Sequence, residues 1–319
     1  MPVISNSQFV RPKWLFNGHL ETIYPAFFRK VSPQKPHNEK IKTSDGDFLE
    51  LDWYSQSSER LVIISHGLEG NSTRPYMLGM VREFTQKGFD VLAWNYRGCG
   101  TEMNQKPIFY HSGATYDLDT VIDYASKKYQ EINLIGFSLG GNLTLKYLGE
   151  NRTRSQKIKK AVAISVPVDL AKSCDKISSG ENIIYSKRFL STLKEKVLRK
   201  SQLFPGELPI QNLSKVKTIR DFDDYFTGPL HGFQDAAEYY EVNSSLQFLT
   251  EIEVPTLLLN AQNDPFLSET CFPVRICRKS ETVHLEIPKH GGHVGFTPRH
   301  VEKSHYSEQR AVEFIASDL

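Results

Sequence analysis

The chain has 319 residues, 39% of them hydrophobic and 24% charged, with a formal net charge of +2. That length suits one large domain, or a core carrying a smaller insertion, and the composition is that of a globular protein with a sizeable core. The near-balance of charge excludes nucleic-acid binding driven by bulk electrostatics.

Four cysteines, Cys99, Cys174, Cys271 and Cys277, are too few and too scattered for a secreted disulfide framework. Cys271 and Cys277 stand six apart, which fits no common zinc spacing. Reduced, mostly buried thiols are expected. The opening residues lack a basic region followed by an apolar run, so no signal peptide is expected. No stretch reaches the ~18 apolar residues of a membrane span. A soluble, cytoplasmic protein is the expectation.

Lys40 to Thr43 and Phe48 to Tyr54 flank Ser44-Asp45-Gly46-Asp47, which predicts an antiparallel hairpin with an Asp-Gly turn. Leu61 to Ser65 is a short apolar run, as for a strand buried on both faces. Pro75 to Gln86 reads as a helix stopped by Gly88, and Asp90 to Asn95 as the next strand. Thr115 to Lys128 is helical, Ile132 to Phe137 a strand, and Asn142 to Leu148 part of a helix. Lys160 to Val166, Pro255 to Ala261 and Val283 to Ile287 are further strands, and His305 to Ala316 closes the chain as an amphipathic helix. The count is eight strands, with helices between most of those after the hairpin. Such alternation predicts a mostly parallel sheet covered on both faces.

The alternation breaks once. Between Val168 and Leu246 no core strand is expected, and a helix runs from Ile183 to Lys200. The chain therefore divides into core residues 1–167, a helical cap over 168–245, and core residues 246–319. The cap helix carries apolar residues at helical spacing with Lys187, Arg188, Lys194, Lys196, Arg199 and Lys200 between them. Two readings stay open: a helix whose apolar face packs on the core, or one that docks on lipid.

Gly136-Phe137-Ser138-Leu139-Gly140 ends the Ile132 to Phe137 strand and opens a helix, which is the nucleophile-elbow pattern. A strained turn aims the serine outward, and the flanking glycines leave room for the strand and helix to approach. A serine hydroxyl needs a histidine to take its proton, and in this pattern the order is serine, acid, histidine. Asp264 lies just past the Pro255 to Ala261 strand and His293 just past the last one. Ser138, Asp264 and His293 are thus the candidate catalytic groups, all at carboxyl ends of parallel strands. Asp169 is the competing acid and His290 the competing base. His290 and His293 could also start a metal site, but no third ligand has matching spacing. For the oxyanion, the candidate donors are the amides of Leu139 and of Leu68, the latter in His66-Gly67-Leu68-Glu69-Gly70. His66 reads as a residue that holds this loop by hydrogen bonds. Glu69 has no role evident from sequence.

The chain resembles the YheT-like members of the α/β-hydrolase superfamily over nearly its full length. The resemblance rests on Trp14-Leu15-Phe16-Asn17-Gly18-His19-Leu20-Glu21-Thr22-Ile23, His66 to Gly70, Tyr96-Arg97-Gly98-Cys99-Gly100, Tyr110-His111-Ser112-Gly113 and Gly136 to Asn142. Asp223-Asp224, Pro229-Leu230-His231-Gly232-Phe233, Asn263-Asp264-Pro265-Phe266 and Gly292-His293-Val294-Gly295-Phe296 extend it. Glu21 stands where glutamine is expected and Ala114 where glutamate is expected. The resemblance implies an esterase or lipase-like serine hydrolase with a Ser138–Asp264–His293 triad and no cofactor. The expected partner is a small-molecule ester, and the N-terminal segment and Pro229 to Phe233 are expected near the site entrance. Thioesterase, peptidase and acyltransferase chemistry share this machinery, and a non-catalytic binding protein is the rival from another class.

Overall fold

The computed structural model describes residues 2–4, 7–32, 34–150, 155–301 and 303–317. Nine strands form one sheet: β1 (Val3–Ile4), β2 (His37–Lys42), β3 (Phe48–Tyr54), β4 (Arg60–Ser65), β5 (Asp90–Asn95), β6 (Glu131–Phe137), β7 (Ile158–Ile164), β8 (Thr256–Leu259) and β9 (Val283–Glu286). Their order is β1-β9-β8-β7-β6-β4-β5-β3-β2. The β2–β3 hairpin and the β3–β5 pair are antiparallel, and every other neighbour is parallel.

The continuous apolar run of β4 is explained by its place between β5 and β6. Leu61 and Ile63 point into one core, Val62 and Ile64 into the other. The first core is closed by α3 (Thr115–Ser126) and α4 (Leu139–Gly149), through Leu118, Val121, Leu143 and Leu145. The second is closed by α2 (Pro75–Gln86) and α11 (Tyr306–Ala316), through Met77, Phe84, Ala311 and Phe314. Pro75 supplies a preset φ at the start of α2, and Gly88, at φ 75°, follows its end. All four cysteines are buried and unbridged.

The ninth strand is one more than the eight expected. β1 is two residues long and pairs in parallel with β9 at the sheet edge, too short to show a period in sequence. α1 (Gly18–Phe28) is a helix that the sequence reading did not anticipate. Asn17 caps it by accepting the Leu20 amide at 2.9 Å. Pro25 inside it leaves the Glu21 carbonyl without its helical donor, and Gly295 packs against that carbonyl.

Between β7 and β8 the described chain forms no strand. It forms α5 (Leu170–Ser178), α6 (Ile183–Leu203), α7 (Ile219–Phe222), a π-helical turn over Asp223–Thr227, α8 (Gly228–Leu230) and α9 (Ala236–Asn243). Leu190, Leu193, Val197, Phe222, Phe226 and Tyr239 give this segment a core of its own. Lys200 of α6 is fully buried and donates to Asn104 Oδ1 and to the carbonyls of Lys106 and Ile108. Burial pushes its pKa down to about 7. The three acceptors pin α6 to the loop after β5. The short α10 (Val274–Cys277) lies between β8 and β9.

Candidate active site

Ser138 joins β6 to α4. Its φ of 53° and ψ of −116° lie where non-glycine residues are rare. α4, of which Asn142 to Leu148 was the expected part, starts at Leu139, so the turn has no spare residue. A Cβ on Gly136 would sit 2.2 Å from the Gly140 carbonyl oxygen, and one on Gly140 2.4 Å from that of Ser65. The two glycines let α4 lie directly against β4 and β6, which holds the strained serine in place.

The structure brings the three candidate groups together. His293 Nε2 lies 2.9 Å from Ser138 Oγ. Its Nδ1 lies 2.9 Å from Asp264 Oδ2 and 3.1 Å from Oδ1. A proton on Nδ1 is held by the carboxylate, which leaves the Nε2 lone pair facing the serine hydroxyl. The Asp264 side chain is buried, and its Oδ1 also accepts the Phe266 amide at 2.9 Å. The competitors are occupied elsewhere. Asp169 caps α5 by accepting the Lys172 amide at 3.0 Å. The His290 ring is turned toward the Glu21 carboxylate, 3.6 Å away.

α1 supplies supports that the sequence reading missed. The His293 amide donates to Thr22 Oγ1 at 2.8 Å, and that hydroxyl donates to the Gly18 carbonyl at 2.6 Å. The buried Glu21 accepts from the Gly291 amide and, at 3.0 Å, from Asn263 Nδ2. One side chain thus ties the histidine loop to the aspartate loop. Burial raises the Glu21 pKa, against the pull of these donors and of Arg11. The only sequence signal was the departure at position 21 from the expected glutamine. The N-terminal segment does lie at the site, and His231 of the Pro229 to Phe233 segment lines the same cavity as Ser138.

The loop after β4 offers few free amides. Gly67 donates to the Tyr76 hydroxyl at 3.0 Å, Glu69 to the Tyr110 hydroxyl at 2.8 Å, and Gly70 to the Gly67 carbonyl at 3.0 Å. No partner is found among the described residues for the Leu68 amide. Leu68 lines the cavity with Ser138 and Leu139, and a Cβ on Gly67 would lie 3.3 Å from that of Ser138. His66 holds the loop as expected: its Nδ1 faces the Gly67 carbonyl at 2.8 Å and its Nε2 accepts the Tyr96 amide at 3.3 Å. Burial pushes its pKa down to about 3, so the ring is neutral at ordinary pH.

Glu69 acquires a partner in the fold. Lys196 Nζ, from α6, lies 2.6 Å from its Oε1, and the Tyr110 hydroxyl donates to the same oxygen at 2.7 Å. Lys196 Nζ also lies 3.2 Å from Cys99 Sγ. Burial works against the ammonium, but the Cys99 sulfur and the Glu69 carboxylate outweigh it and its pKa ends above the ordinary value.

Above Ser138 lies a cavity holding about 910 Å³ of space, solvent at its mouth included. Leu170, Ile177, Leu193, Ile219 and Phe222 give it apolar walls from α5, α6 and α7. Asp223, in the π-helical turn, also reaches it. Its carboxylate takes the Tyr240 hydroxyl at 2.6 Å, and burial raises its pKa to about 6. The arrangement joins a hydroxyl, a base, a buried carboxylate and free amides below an apolar chamber, which is what acyl transfer requires.

Residues 60–297 match the family described as alpha/beta hydrolase fold. Over 305 residues the chain is 33% identical to a protein of Escherichia coli named "Putative esterase YheT", covering 92% of this chain and 88% of that one. It is 28% identical to human phospholipase ABHD3, covering 92% of this chain and 75% of the relative. The Pyrococcus furiosus esterase Pf2001 superposes with a TM-score of 0.60 over 98% of both chains, at 18% identity, and shares the fold. The chain belongs to the alpha/beta hydrolase family, among its YheT-like members.

Proposed function

We propose that this chain, a carboxylic-ester hydrolase like its relatives, works through an acyl-enzyme formed on Ser138. Ser138 Oγ attacks the ester carbonyl carbon while His293 Nε2 takes its proton. The amides of Leu139 and Leu68 hold the oxyanion. Collapse of the intermediate breaks the ester C–O bond, and His293 returns the proton to the departing alcohol. Water, deprotonated by His293, then attacks the acyl carbon; the bond between that carbon and Ser138 Oγ breaks, His293 returns the proton to Oγ, and the acid leaves. Asp264 keeps His293 in the Nδ1–H tautomer and offsets its charge when doubly protonated.

The observation that carries the reading is the unbroken run Ser138–His293–Asp264, at 2.9 Å for each link. The apolar walls support an ester with at least one hydrocarbon limb. The 168–245 segment serves as the cap that shapes this chamber and so sets substrate choice. Ser138→Ala is expected to lower kcat on nitrophenyl esters by ~10⁴-fold or more. It should also abolish labelling by a fluorophosphonate probe. A Ser138→Ala variant with wild-type turnover would end the proposal. A panel of esters, thioesters and amides of matched acyl chain, with and without an alcohol acceptor, separates hydrolysis of esters from the related acyl transfers.

A further inference from the structure

Apolar side chains left in water gather at one place on this molecule. Thirteen large hydrophobic side chains are exposed among the described residues, and six of them are Trp14, Phe16, Phe27, Phe28, Ile183 and Ile184. They belong to two segments far apart in sequence, the region around α1 and the start of α6. The fold joins these segments. The His19 ring nitrogen lies 3.2 Å from the Tyr185 hydroxyl. The Arg188 guanidinium lies over the Phe27 ring, 5.0 Å from its centre. Trp14 packs edge-on against Tyr24 at 4.5 Å, and Tyr24 stacks on Phe28 at 5.4 Å. Ile184 and Arg188 are four apart on α6 and share a face. Phe27, Phe28 and Ile184 remain 62%, 68% and 77% exposed. Isolated exposed apolar residues are ordinary, but exposed rings packed on one another beside a second segment's exposed isoleucines are not.

Both segments carry exposed cations. Residues 7–32 carry Arg11, Lys13, Arg29 and Lys30, and residues 183–194 carry Lys187, Arg188 and Lys194. Of these, Lys13, Lys30, Lys187 and Arg188 are exposed, whereas Arg11 lies 3.5 Å from the buried Glu21, Arg29 pairs at 2.6 Å with the buried Glu308, and Lys194 donates to the Val216 carbonyl. Aromatic rings rimmed by lysine and arginine match the boundary between acyl chains and anionic headgroups.

The patch also adjoins the site. The Tyr185 ring packs edge-on against Phe266 at 4.8 Å, and Phe266 lies 4.3 Å from the His293 ring. Two rings separate the exposed surface from the proposed base.

We propose that α1 and the N-terminal end of α6 form a docking face for an anionic lipid surface, placed so that an ester leaving the bilayer enters beside His293. The docking goes beyond the hydrolase reading and stands without it; only the delivery of substrate rests on it. No helix among the described residues is long and apolar enough to cross a membrane, and this face needs none. Contact is peripheral, through ring insertion and charge.

The test uses the full chain with vesicles of phosphatidylcholine alone or mixed with phosphatidylglycerol, read by co-sedimentation. The wild type should bind the anionic vesicles more tightly, and raised salt should weaken that binding. A Phe27→Ser, Phe28→Ser, Ile184→Ser triple variant should bind them at least about tenfold more weakly, because half of the six exposed apolar side chains of the face are gone. Its fold is checked by thermal unfolding, and soluble nitrophenyl-ester turnover is followed in parallel. Failure of the wild type to bind anionic vesicles overturns the proposal, as does equal binding by the triple variant. A wild-type dimer in light scattering that the triple variant dissociates overturns it too, since a second copy then covers the face. Loss of soluble-ester turnover in the wild type would strike the hydrolase reading and leave the vesicle result standing.

Discussion

Lys196→Met is the sharpest probe of how the loop after β4 is held. The Lys196 and Glu69 side chains are 12% and 9% exposed, with Nζ 2.6 Å from Oε1. Breaking a buried pair by removing one partner costs about 3–5 kcal/mol, because the other charge stays buried. Glu69 keeps the Tyr110 hydroxyl as a partner. The low end, about 3 kcal/mol, is therefore expected, which at this chain length is a fall in Tm of roughly 4–5 °C. Glu69→Gln should cost less, since Lys196 keeps Cys99 and lies over the Tyr110 ring at 5.0 Å. The kinetic effect should be larger than the thermal one. An unpaired Glu69 carboxylate, one residue from the Leu68 amide, opposes the negative charge of the tetrahedral intermediate. Lys196→Met should thus lower kcat at least tenfold with a smaller change in KM. The double variant Glu69→Gln, Lys196→Met removes both charges and should turn over faster than Lys196→Met alone. Thermal unfolding and initial rates on a nitrophenyl ester across the four proteins complete the cycle. Additive effects, or a double variant no faster than Lys196→Met, would refute the electrostatic argument and leave a simple strut.

Glu21→Ala removes the acceptor shared by the Gly291 amide and Asn263 Nδ2. It should lower kcat at least tenfold by loosening His293 against Asp264, with KM changed less. Glu21→Gln should restore most of that loss, because its carbonyl can still take the Gly291 amide; equal damage from both variants would point to charge instead. Stability should also fall in acid. Burial holds His66 and His305 down to about 3, against an ordinary value near 6.5 in the unfolded chain. Between those limits the unfolded chain binds protons that the folded one refuses, so this stability is full above about pH 6.5 and is lost as pH falls toward 3. The slope is up to about 1.4 kcal/mol per pH unit for each ring. Urea midpoints at pH 7.5, 6 and 5 would test this, and a flat profile would refute it.

What the sequence disclosed was set by range. Ser138, Asp264 and His293 were legible because each follows a strand whose apolar run lies within ten residues of it. The end of a parallel strand is where an open sheet presents side chains. The glycines at 136 and 140 were legible for a similar reason, since the turn that needs them is local. β1 was not, because two residues carry no period, and α1 was not, because Pro25 interrupts it and its two buried neighbours on the site side, Glu21 and Thr22, are polar. The large apolar residues Phe27 and Phe28 of α1 are exposed, so its buried face is written by its contacts, not by an apolar pattern.

The same limit explains Glu69. A carboxylate beside two glycines and a histidine has no local rationale, and its partner Lys196 lies 127 residues away on α6. Read along the chain, Lys196 is one of several cations on a helix that could face water or lipid. In the fold, the cations of α6 divide. Lys196 and Lys200 turn inward to the β4 loop and the loop after β5, while Lys187 stays exposed and Arg188 lies exposed over Phe27. The two readings of this helix therefore describe different ends of it. Its C-terminal half is held to the core by the inward-turned Lys196 and Lys200 side chains, and its N-terminal end places exposed charge and apolar surface beside α1. A helix anchored at one end and available at the other can meet a membrane without loosening the loop that carries Leu68.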